Sequence, residues 1–121
     1  VNANKQPMFT ADQRKAWFNE IFRDEPKVEA VTYEGLTIEC CRQVGARFIL
    51  RGIRYVSDFE YEKAIADMNR TLDQQTETIF LTCLPQYISV ASTLVRDVLR
   101  NGGDISPFVP EVVKQSILQY S

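Results

Sequence analysis

Residues 47–52 have the sequence Arg47-Phe48-Ile49-Leu50-Arg51-Gly52, in which three consecutive apolar side chains lie between two arginines and a glycine ends the run. A short apolar run of this kind is typical of a strand that is buried on both faces of a parallel sheet. A second such run, from Thr78 to Cys83, predicts a second buried strand. The segment between the two runs has apolar residues at helical spacing, so together they predict a βαβ unit with a parallel sheet.

Helix signals surround this predicted unit. Thr10 and Gln13 have the spacing of a capping box, and Ser57 and Glu60 repeat it. Gly45 is placed where a left-handed residue often follows a helix. The predicted elements in chain order are a helix over 10–24, a strand over 27–33, a helix over 38–44, a strand over 47–52, a helix from 57, a strand over 78–83, a loop over 84–90, a helix over 91–100 and a short helix from 110. This alternation predicts an α/β fold, with residues 1–121 as a single domain.

The composition excludes several classes of protein. The 121 residues carry 14 Lys and Arg against 16 Asp and Glu, a net charge of -2, so there is no basic surplus that favours nucleic acid or an anionic membrane. No apolar run approaches the roughly 18 to 20 residues of a membrane span, and we expect a cytoplasmic protein. Histidine is absent, so these residues cannot form a Ser/His/Asp triad or an HExxH zinc helix. The cysteines, Cys40, Cys41 and Cys83, lack metal-site spacing and predict buried, reduced thiols.

The segment Arg51-Gly52-Ile53-Arg54 is the sharpest candidate for a binding site. Its two guanidiniums, groups that bind phosphate oxygens in bidentate fashion, flank a glycine that lets a ligand come close to the backbone. The segment follows a predicted strand and precedes a helix start near Ser57, and ligands of open parallel sheets bind at such places. A solvated charged loop is the alternative reading, and the pattern by itself does not decide between them.

Further polar residues lie near predicted element ends. Ser89 to Thr93 is a hydroxyl-rich helix start, which suits either a triphosphate or simple capping of the helix. Lys5 is a lone cation after the opening segment. Asp58, Glu60 and Glu62 lie in the first turns of their helix, where complementarity to the helix dipole explains carboxylates without any function.

Taken together, several motifs resemble those of bacterial phosphopantetheine adenylyltransferases. The matching motifs are Lys5-Gln6-Pro7-Met8-Phe9-Thr10, Phe48-Ile49-Leu50-Arg51-Gly52-Ile53-Arg54, Asp58-Phe59-Glu60-Tyr61-Glu62, Met68-Asn69-Arg70, Ser92-Thr93-Leu94-Val95-Arg96, Gly103-Asp104-Ile105 and Phe108-Val109-Pro110-Glu111. They cover nearly the whole chain, and the run from 51 to 70 is highly specific.

The resemblance implies an enzyme of coenzyme A synthesis in the nucleotidylyltransferase superfamily. Its fold would be Rossmann-like, with a parallel sheet and flanking helices. The reaction would be reversible transfer of an adenylyl group from ATP to 4'-phosphopantetheine, with Mg²⁺, giving dephospho-coenzyme A and pyrophosphate. The resemblance also implies a cytoplasmic homohexamer, coenzyme A as an inhibitor, and no nucleic-acid or membrane partner. It assigns no metal ligands.

By matching position, the resemblance implies roles for individual residues. The residues that bind phosphopantetheine would be Lys5, Leu36, Thr37, Arg51 and Asn69, with Lys5 and Arg51 on its phosphate. The residues that bind ATP would be Gly52, Ile53, Arg54, Glu62, Tyr87, Ile88, Ser89, Val90, Ala91, Ser92 and Thr93. Catalysis would rest on Lys5 and Arg54.

The chain departs from the family pattern at several points. The family's opening strand, its Gly-Thr-Phe-Asp-Pro loop and its (H/T)xGH motif have no match here, and that motif carries the histidine assigned to transition-state stabilisation. We expect a βα unit of roughly 30 or more residues before Val1 in the natural protein, and no activity from these residues alone. Ala91 stands where the family often has serine, and Thr37 where an apolar residue is common. Two alternatives are an inactive remnant that binds coenzyme A or a nucleotide, and an adenylyltransferase acting on nicotinamide mononucleotide or glycerol phosphate.

Overall fold

The structure is a computed structural model that describes residues 8–119, so Lys5 lies outside the described residues. Its elements in chain order are α1 (Ala11–Ile21), α2 (Thr37–Val44), β1 (Phe48–Ile53), α3 (Val56–Leu72), β2 (Glu77–Thr82), a 3-10 turn (Pro85–Tyr87), α4 (Ser92–Arg100) and α5 (Glu111–Gln119). The described residues form two compact units, one of residues 34–89 and one of residues 8–33 with 90–119. The assignment of all 121 residues to one domain stays a prediction.

The unit of residues 34–89 is built on β1 and β2, which pair in parallel. Leu50 lies opposite Ile79 in this register, and Arg51 lies opposite Phe80. The helix α3 connects the two strands and packs against both. Its Phe59 ring lies edge-on to that of Phe80, with the ring centroids 5.7 Å apart. The predicted βαβ unit with its parallel strands is therefore confirmed.

The expectation that the first strand is buried on both faces is wrong for the described residues. Phe48 and Leu50 are 64% and 62% exposed, and Ile79 and Leu81 of β2 are also exposed. Side chains alternate between the two faces of a strand, and the register places these four residues on the face opposite to Phe80. Because α3 packs on the Phe80 face, it covers only one side of the strand pair.

The ends of the helices in this unit have identifiable causes. Gly45 ends α2 in the left-handed conformation, with φ 72°, as its position predicts. The start of α3 differs from the prediction, because the helix begins at Val56 and the expected capping box of Ser57 and Glu60 is wrong. Asp58 supplies the bonds instead, accepting from the backbone N–H groups before the helix.

The second unit contains α1, α4 and α5, and α1 contacts α5. Thr10 and Gln13 form the predicted capping box of α1, with N–H to oxygen distances of 2.8 and 3.1 Å. The predicted strand over 27–33 is wrong: these residues are irregular after a turn in which the Val28 N–H binds the Glu25 carbonyl oxygen at 3.2 Å. Apolar residues do not make a strand unless a neighbouring strand receives their backbone hydrogen bonds.

The structure tests two further predictions from the sequence, which are that the cysteine thiols are buried and that no segment spans a membrane. All three cysteines are free, but only Cys41 is buried, and burial raises the pKa of its thiol above the ordinary cysteine value. Cys40 and Cys83 are half-buried, so burial of all three thiols was a wrong expectation. Among residues 8–119, no helix has both the length and the apolar character that crossing a bilayer requires.

Candidate functional site

A cavity of about 450 Å³ opens at the carboxyl end of β1, around the residues that lead from this strand into α3. Its lining residues are Arg51, Gly52, Arg54, Ser57, Asp58, Tyr61 and Glu62. Such a position, after a parallel strand and before a helix, is where α/β sheets bind ligands. The structure therefore brings together four of the predicted site residues, which are Arg51, Gly52, Arg54 and Glu62.

Arg51 and Glu62 form a bidentate ion pair across this cavity. The Arg51 Nε donates to Glu62 Oε2 at 2.9 Å, and Nη2 donates to Oε1 at 2.7 Å. The Glu62 side chain is 13% exposed, whereas that of Arg51 is 53% exposed. Fork-to-fork geometry fixes the plane of a guanidinium as well as its position. Glu62 thus holds Arg51 in one orientation while about half of the arginine side chain remains accessible.

Arg54 is held by Asp58, four residues further along the chain. Arg54 Nε lies 3.4 Å from Asp58 Oδ2. The same oxygen accepts the backbone N–H groups of Arg54, at 3.1 Å, and Tyr55, at 3.2 Å. The pKa of Asp58 lies below the ordinary aspartate value, first because of the hydrogen bond from the Arg54 N–H and also because of the Tyr55 N–H and the Arg54 charge. Asp58 is therefore an anion that organises the backbone and the side chain of Arg54 together.

Gly52 separates the two arginines. Its φ is not positive, and a Cβ atom added to it would meet no other atom within 4 Å. Neither backbone conformation nor crowding within the described residues therefore requires glycine here. What glycine does supply is unobstructed access to the backbone next to two guanidiniums, which suits a ligand rich in phosphate oxygens.

Comparisons with known proteins identify the family. Residues 1–98 match a family model described as Cytidylyltransferase-like. The chain is 53% identical over 114 residues to the phosphopantetheine adenylyltransferase of Flavobacterium psychrophilum, covering 94% of this chain and 75% of that protein. It is 43% identical over 120 residues to the same enzyme of Alkaliphilus metalliredigens, covering 99% and 76%. The chain belongs to the phosphopantetheine adenylyltransferase family. The resemblance seen in the sequence motifs is thereby confirmed.

Some residues that the phosphopantetheine adenylyltransferase resemblance implies lie away from the cavity. Leu36, at the start of α2, is 54% exposed and Thr37 is the first residue of that helix. Asn69 is eleven residues beyond Asp58 on α3, which is roughly 16 Å along the helix axis. Ile53 ends β1 opposite Thr82 but does not line the cavity. None of these residues lines the cavity around the two arginines.

The segment Tyr87–Thr93, which the family pattern associates with ATP, divides between the two units. Tyr87 ends the 3-10 turn and is 53% exposed, and Ile88 and Ser89 follow it in the unit of residues 34–89. Val90 and Ala91 lead into α4, which begins at Ser92 and has no side-chain hydrogen bond at its N-cap residue, Ala91. Ser92 and Thr93 therefore lie within the helix, and no side chain caps its start as the capping interpretation predicts.

Asp58 and Tyr61 line the cavity, but neither was predicted from the sequence to be a site residue. The dipole of α3 was sufficient to explain an acid at position 58. A signal was nevertheless present, because Asp58 lies four residues after Arg54 and four before Glu62. Residues four apart share one face of a helix, so the two carboxylates of that face can each reach one arginine of the preceding segment.

The described residues do not form a protein cage for a metal ion. No group of three or more Cys, Asp or Glu side chains with metal-binding geometry occurs within residues 8–119. The cavity carboxylates Asp58 and Glu62 are already bonded to arginines. Mg²⁺ in nucleotide enzymes is commonly held by substrate phosphates with few protein ligands. The residues present thus fit an ion that arrives with a nucleotide better than one held by this part of the protein.

Proposed function

We propose that this protein transfers the adenylyl group of ATP to 4'-phosphopantetheine, giving dephospho-coenzyme A and pyrophosphate in a reversible step of coenzyme A synthesis. The observation that carries the proposal is the pair of carboxylate-held guanidiniums at the end of β1, in a chain 53% identical to an enzyme named for this activity. The shared name of its relatives does not favour an inactive remnant or a different acceptor.

The reaction needs positioned charge more than a protein nucleophile. An oxygen of the acceptor phosphate attacks the α-phosphorus of ATP, a new P–O bond forms, and the bond from the α-phosphorus to the bridging oxygen breaks. Both electrons of that bond leave with pyrophosphate. Catalysis of such an in-line transfer consists of alignment and of neutralising the phosphate oxygens.

We assign the two arginines to the two substrates. Arg51, with Lys5 from the preceding segment, holds the attacking phosphate of phosphopantetheine. Arg54 holds the phosphates of ATP and, with Lys5, supports the charge that develops during transfer. The fixed orientation of each guanidinium supports this assignment, because a preorganised donor does not have to be reoriented as charge builds up.

The remaining residues complete the proposed sites according to the family pattern. Leu36, Thr37 and Asn69 contact the pantetheine arm. Gly52, Ile53 and Glu62 bind ATP together with the segment Tyr87, Ile88, Ser89, Val90, Ala91, Ser92 and Thr93. Mg²⁺ bound to the phosphates of ATP would supply further neutralisation of their charge.

Assembly and regulation also follow the family pattern in this proposal. The protein works as a homohexamer in the cytoplasm, and coenzyme A inhibits it. A chain of 13.9 kDa buries a small share of its surface by itself, which supports an oligomer.

The test measures pyrophosphate release by the full gene product with ATP and Mg²⁺. Three acceptors are compared: 4'-phosphopantetheine, nicotinamide mononucleotide and glycerol 3-phosphate. We expect turnover with phosphopantetheine alone. Turnover with one of the other acceptors instead would reassign the substrate, and no turnover with any acceptor, despite measurable binding of coenzyme A, would support the inactive remnant.

A further inference from the structure

Asp58 makes three contacts through one oxygen atom, and two of them go to the same residue. Its Oδ2 accepts the N–H of Arg54 at 3.1 Å and lies 3.4 Å from Nε of the Arg54 side chain. The third contact is the N–H of Tyr55 at 3.2 Å. The side chains of Asp58 and Arg54 are 28% and 34% exposed, so both are partly withdrawn from water.

A helix-capping role accounts for the backbone contacts but not for the side-chain contact. An acid in the first turn of a helix is satisfied by N–H groups and by the helix dipole. Asp58 in addition faces the guanidinium of Arg54, whose long side chain otherwise samples many rotamers. One carboxylate therefore sets both where the Arg54 backbone leaves β1 and where its charge points.

Arg54 is also restrained from a second side. Its Cζ atom lies 5.8 Å from the centroid of the Tyr55 ring, within the range of a cation–π contact. The ring of Tyr55 is 52% exposed, so this contact alone provides weak restraint. Of the two partners of Arg54, Asp58 is less exposed than Tyr55, and it carries a charge.

We propose that Asp58 is a positioning residue for adenylyl transfer, which holds the Arg54 guanidinium where it meets the phosphates of ATP. This inference rests on the proposed function and adds to it a residue to which the family pattern assigns no role. Asp58 itself neither touches the reacting atoms nor exchanges a proton in this proposal. Its lowered pKa supports the role, since the carboxylate stays ionised at neutral pH and remains an acceptor.

The test compares four variants of the full gene product, which are Asp58→Ala, Asp58→Asn, Arg54→Ala and the double variant Asp58→Ala/Arg54→Ala. The matched control is Asp67→Ala, which removes another aspartate of α3 that pairs with a lysine four residues away. Steady-state kinetics give kcat and the KM of each substrate. Calorimetry with ATP and no acceptor measures nucleotide binding without turnover.

We expect Asp58→Ala to weaken ATP binding and lower kcat/KM for ATP by about tenfold, with the KM of phosphopantetheine nearly unchanged. Asp58→Asn should recover most of the loss, because its amide oxygen can accept from Nε of Arg54 as well as from the two backbone N–H groups. In the Arg54→Ala background, Asp58→Ala should have no further effect on ATP, since the side chain that it positions is gone. Asp67→Ala should leave all these values unchanged.

Two outcomes would overturn the inference. One is an Asp58→Ala variant that matches Asp67→Ala in ATP binding. The other is a loss for Asp58→Ala that affects both substrates alike and adds to that of Arg54→Ala, which is the behaviour of a residue that only starts a helix. Failure of the proposed function is separate, because it would appear as a parent protein without turnover, whereas ATP binding still tests Asp58.

Discussion

The two ends of α3 carry the same kind of interaction and differ in what surrounds it. At its amino-terminal end, Arg51 pairs with Glu62 and Arg54 with Asp58, and all four line a cavity. At its carboxyl-terminal end, Arg42 pairs with Asp73, and Arg70 pairs with Glu77 of β2. An ion pair between arginine and a carboxylate is therefore not a signature of function by itself.

The carboxyl-terminal pairs are explained by the fold alone. Arg42 Nη2 donates to the Leu72 carbonyl oxygen at 3.1 Å, and Nε donates to Asp73 at 3.2 Å, which joins α2 to the last turn of α3. Asp73 also accepts the Gln75 N–H at 3.0 Å in the turn before β2. These contacts satisfy groups that a helix end leaves unpaired. The amino-terminal arginines are also paired with carboxylates, but they and their partners line a cavity next to a glycine.

Removing an arginine should reveal the largest difference in function between the two ends of α3. We expect Arg54→Ala to lower kcat/KM for ATP by about 100-fold, because it removes a donor to the developing charge. Arg51→Ala should raise the KM of phosphopantetheine by about tenfold or more, with a smaller effect on ATP. Arg70→Ala, the matched control at the other end, should change neither value measurably. The readout is steady-state kinetics with each substrate varied in turn.

Equal, small effects of Arg51→Ala and Arg54→Ala on both substrates would contradict this division of labour. The Arg51-Gly52-Ile53-Arg54 segment would then be a solvated charged loop, and the two ends of α3 would not differ in function.

Gly52→Ala should have a smaller effect on activity than Arg54→Ala, and it tests the same end of α3. A Cβ atom at this position meets nothing within 4 Å, so the melting temperature should hardly change. If a ligand approaches the Gly52 backbone as proposed, kcat/KM for ATP should fall by about tenfold, since small misplacements of reacting groups are costly. Gly45→Ala is the complementary control. Its φ of 72° strains an alanine by about 1–2 kcal/mol, so stability should fall while the kinetics of the remaining folded protein are retained.

A loss of stability without a loss of activity in Gly52→Ala would contradict the proposed access to the backbone. Thermal unfolding and kinetics of the two glycine variants, measured in parallel, distinguish these results.

The smallest expected effect is on the pH dependence of stability, and it concerns Asp73 at the carboxyl-terminal end of α3. The pKa of Asp73 lies below the ordinary aspartate value, first because of the Gln75 N–H and then because of Arg42 and Thr76. A lowered pKa in the folded state means that this contribution to stability is present above the unfolded pKa of about 3.9. It is lost as the pH falls through the lower folded value. Asp73→Asn should therefore lower the melting temperature slightly at pH 7. The difference in melting temperature between the variant and the parent protein should become smaller in acid.

Thermal unfolding of Asp73→Asn and the parent protein from neutral pH to below pH 3 measures this change. Its kcat and KM at neutral pH should equal those of the parent. A melting-temperature difference that stays constant across the whole range would show that the ionised form of Asp73 has no special role in the fold.

The strand and helix pattern was largely predictable because it depends on local periodicity. β1 spans 48–53 where 47–52 was expected, a difference of one residue, since pairing with β2 sets where a strand ends. The strand expected over 27–33 did not form because residue preferences cannot supply a pairing partner. The expected burial of this strand on both faces failed for a related reason, because burial depends on what packs against each face, and Phe48 and Leu50 lie on the exposed one.

The candidate site was predictable in its residues but not in its pairing. The sequence pattern indicates Arg51, Gly52 and Arg54 because they lie at the carboxyl end of a strand. It does not show that Glu62, eleven residues from Arg51, holds this arginine, because that contact depends on how α3 folds back onto β1. Asp58 was not predicted to be a site residue for a different reason, since the helix dipole already explains an acid at a helix start.

The spacing of Asp58 and Glu62 also restricts which changes of chain length this segment tolerates. Their Cβ atoms are about 5 to 6 Å apart because one helical turn separates them. An inserted or deleted residue between them would rotate the rest of α3 by about 100°, since a turn takes 3.6 residues. Glu62 would then leave Arg51 even though every residue type was retained. We therefore expect relatives of this protein to keep the number of residues that separates these two acids.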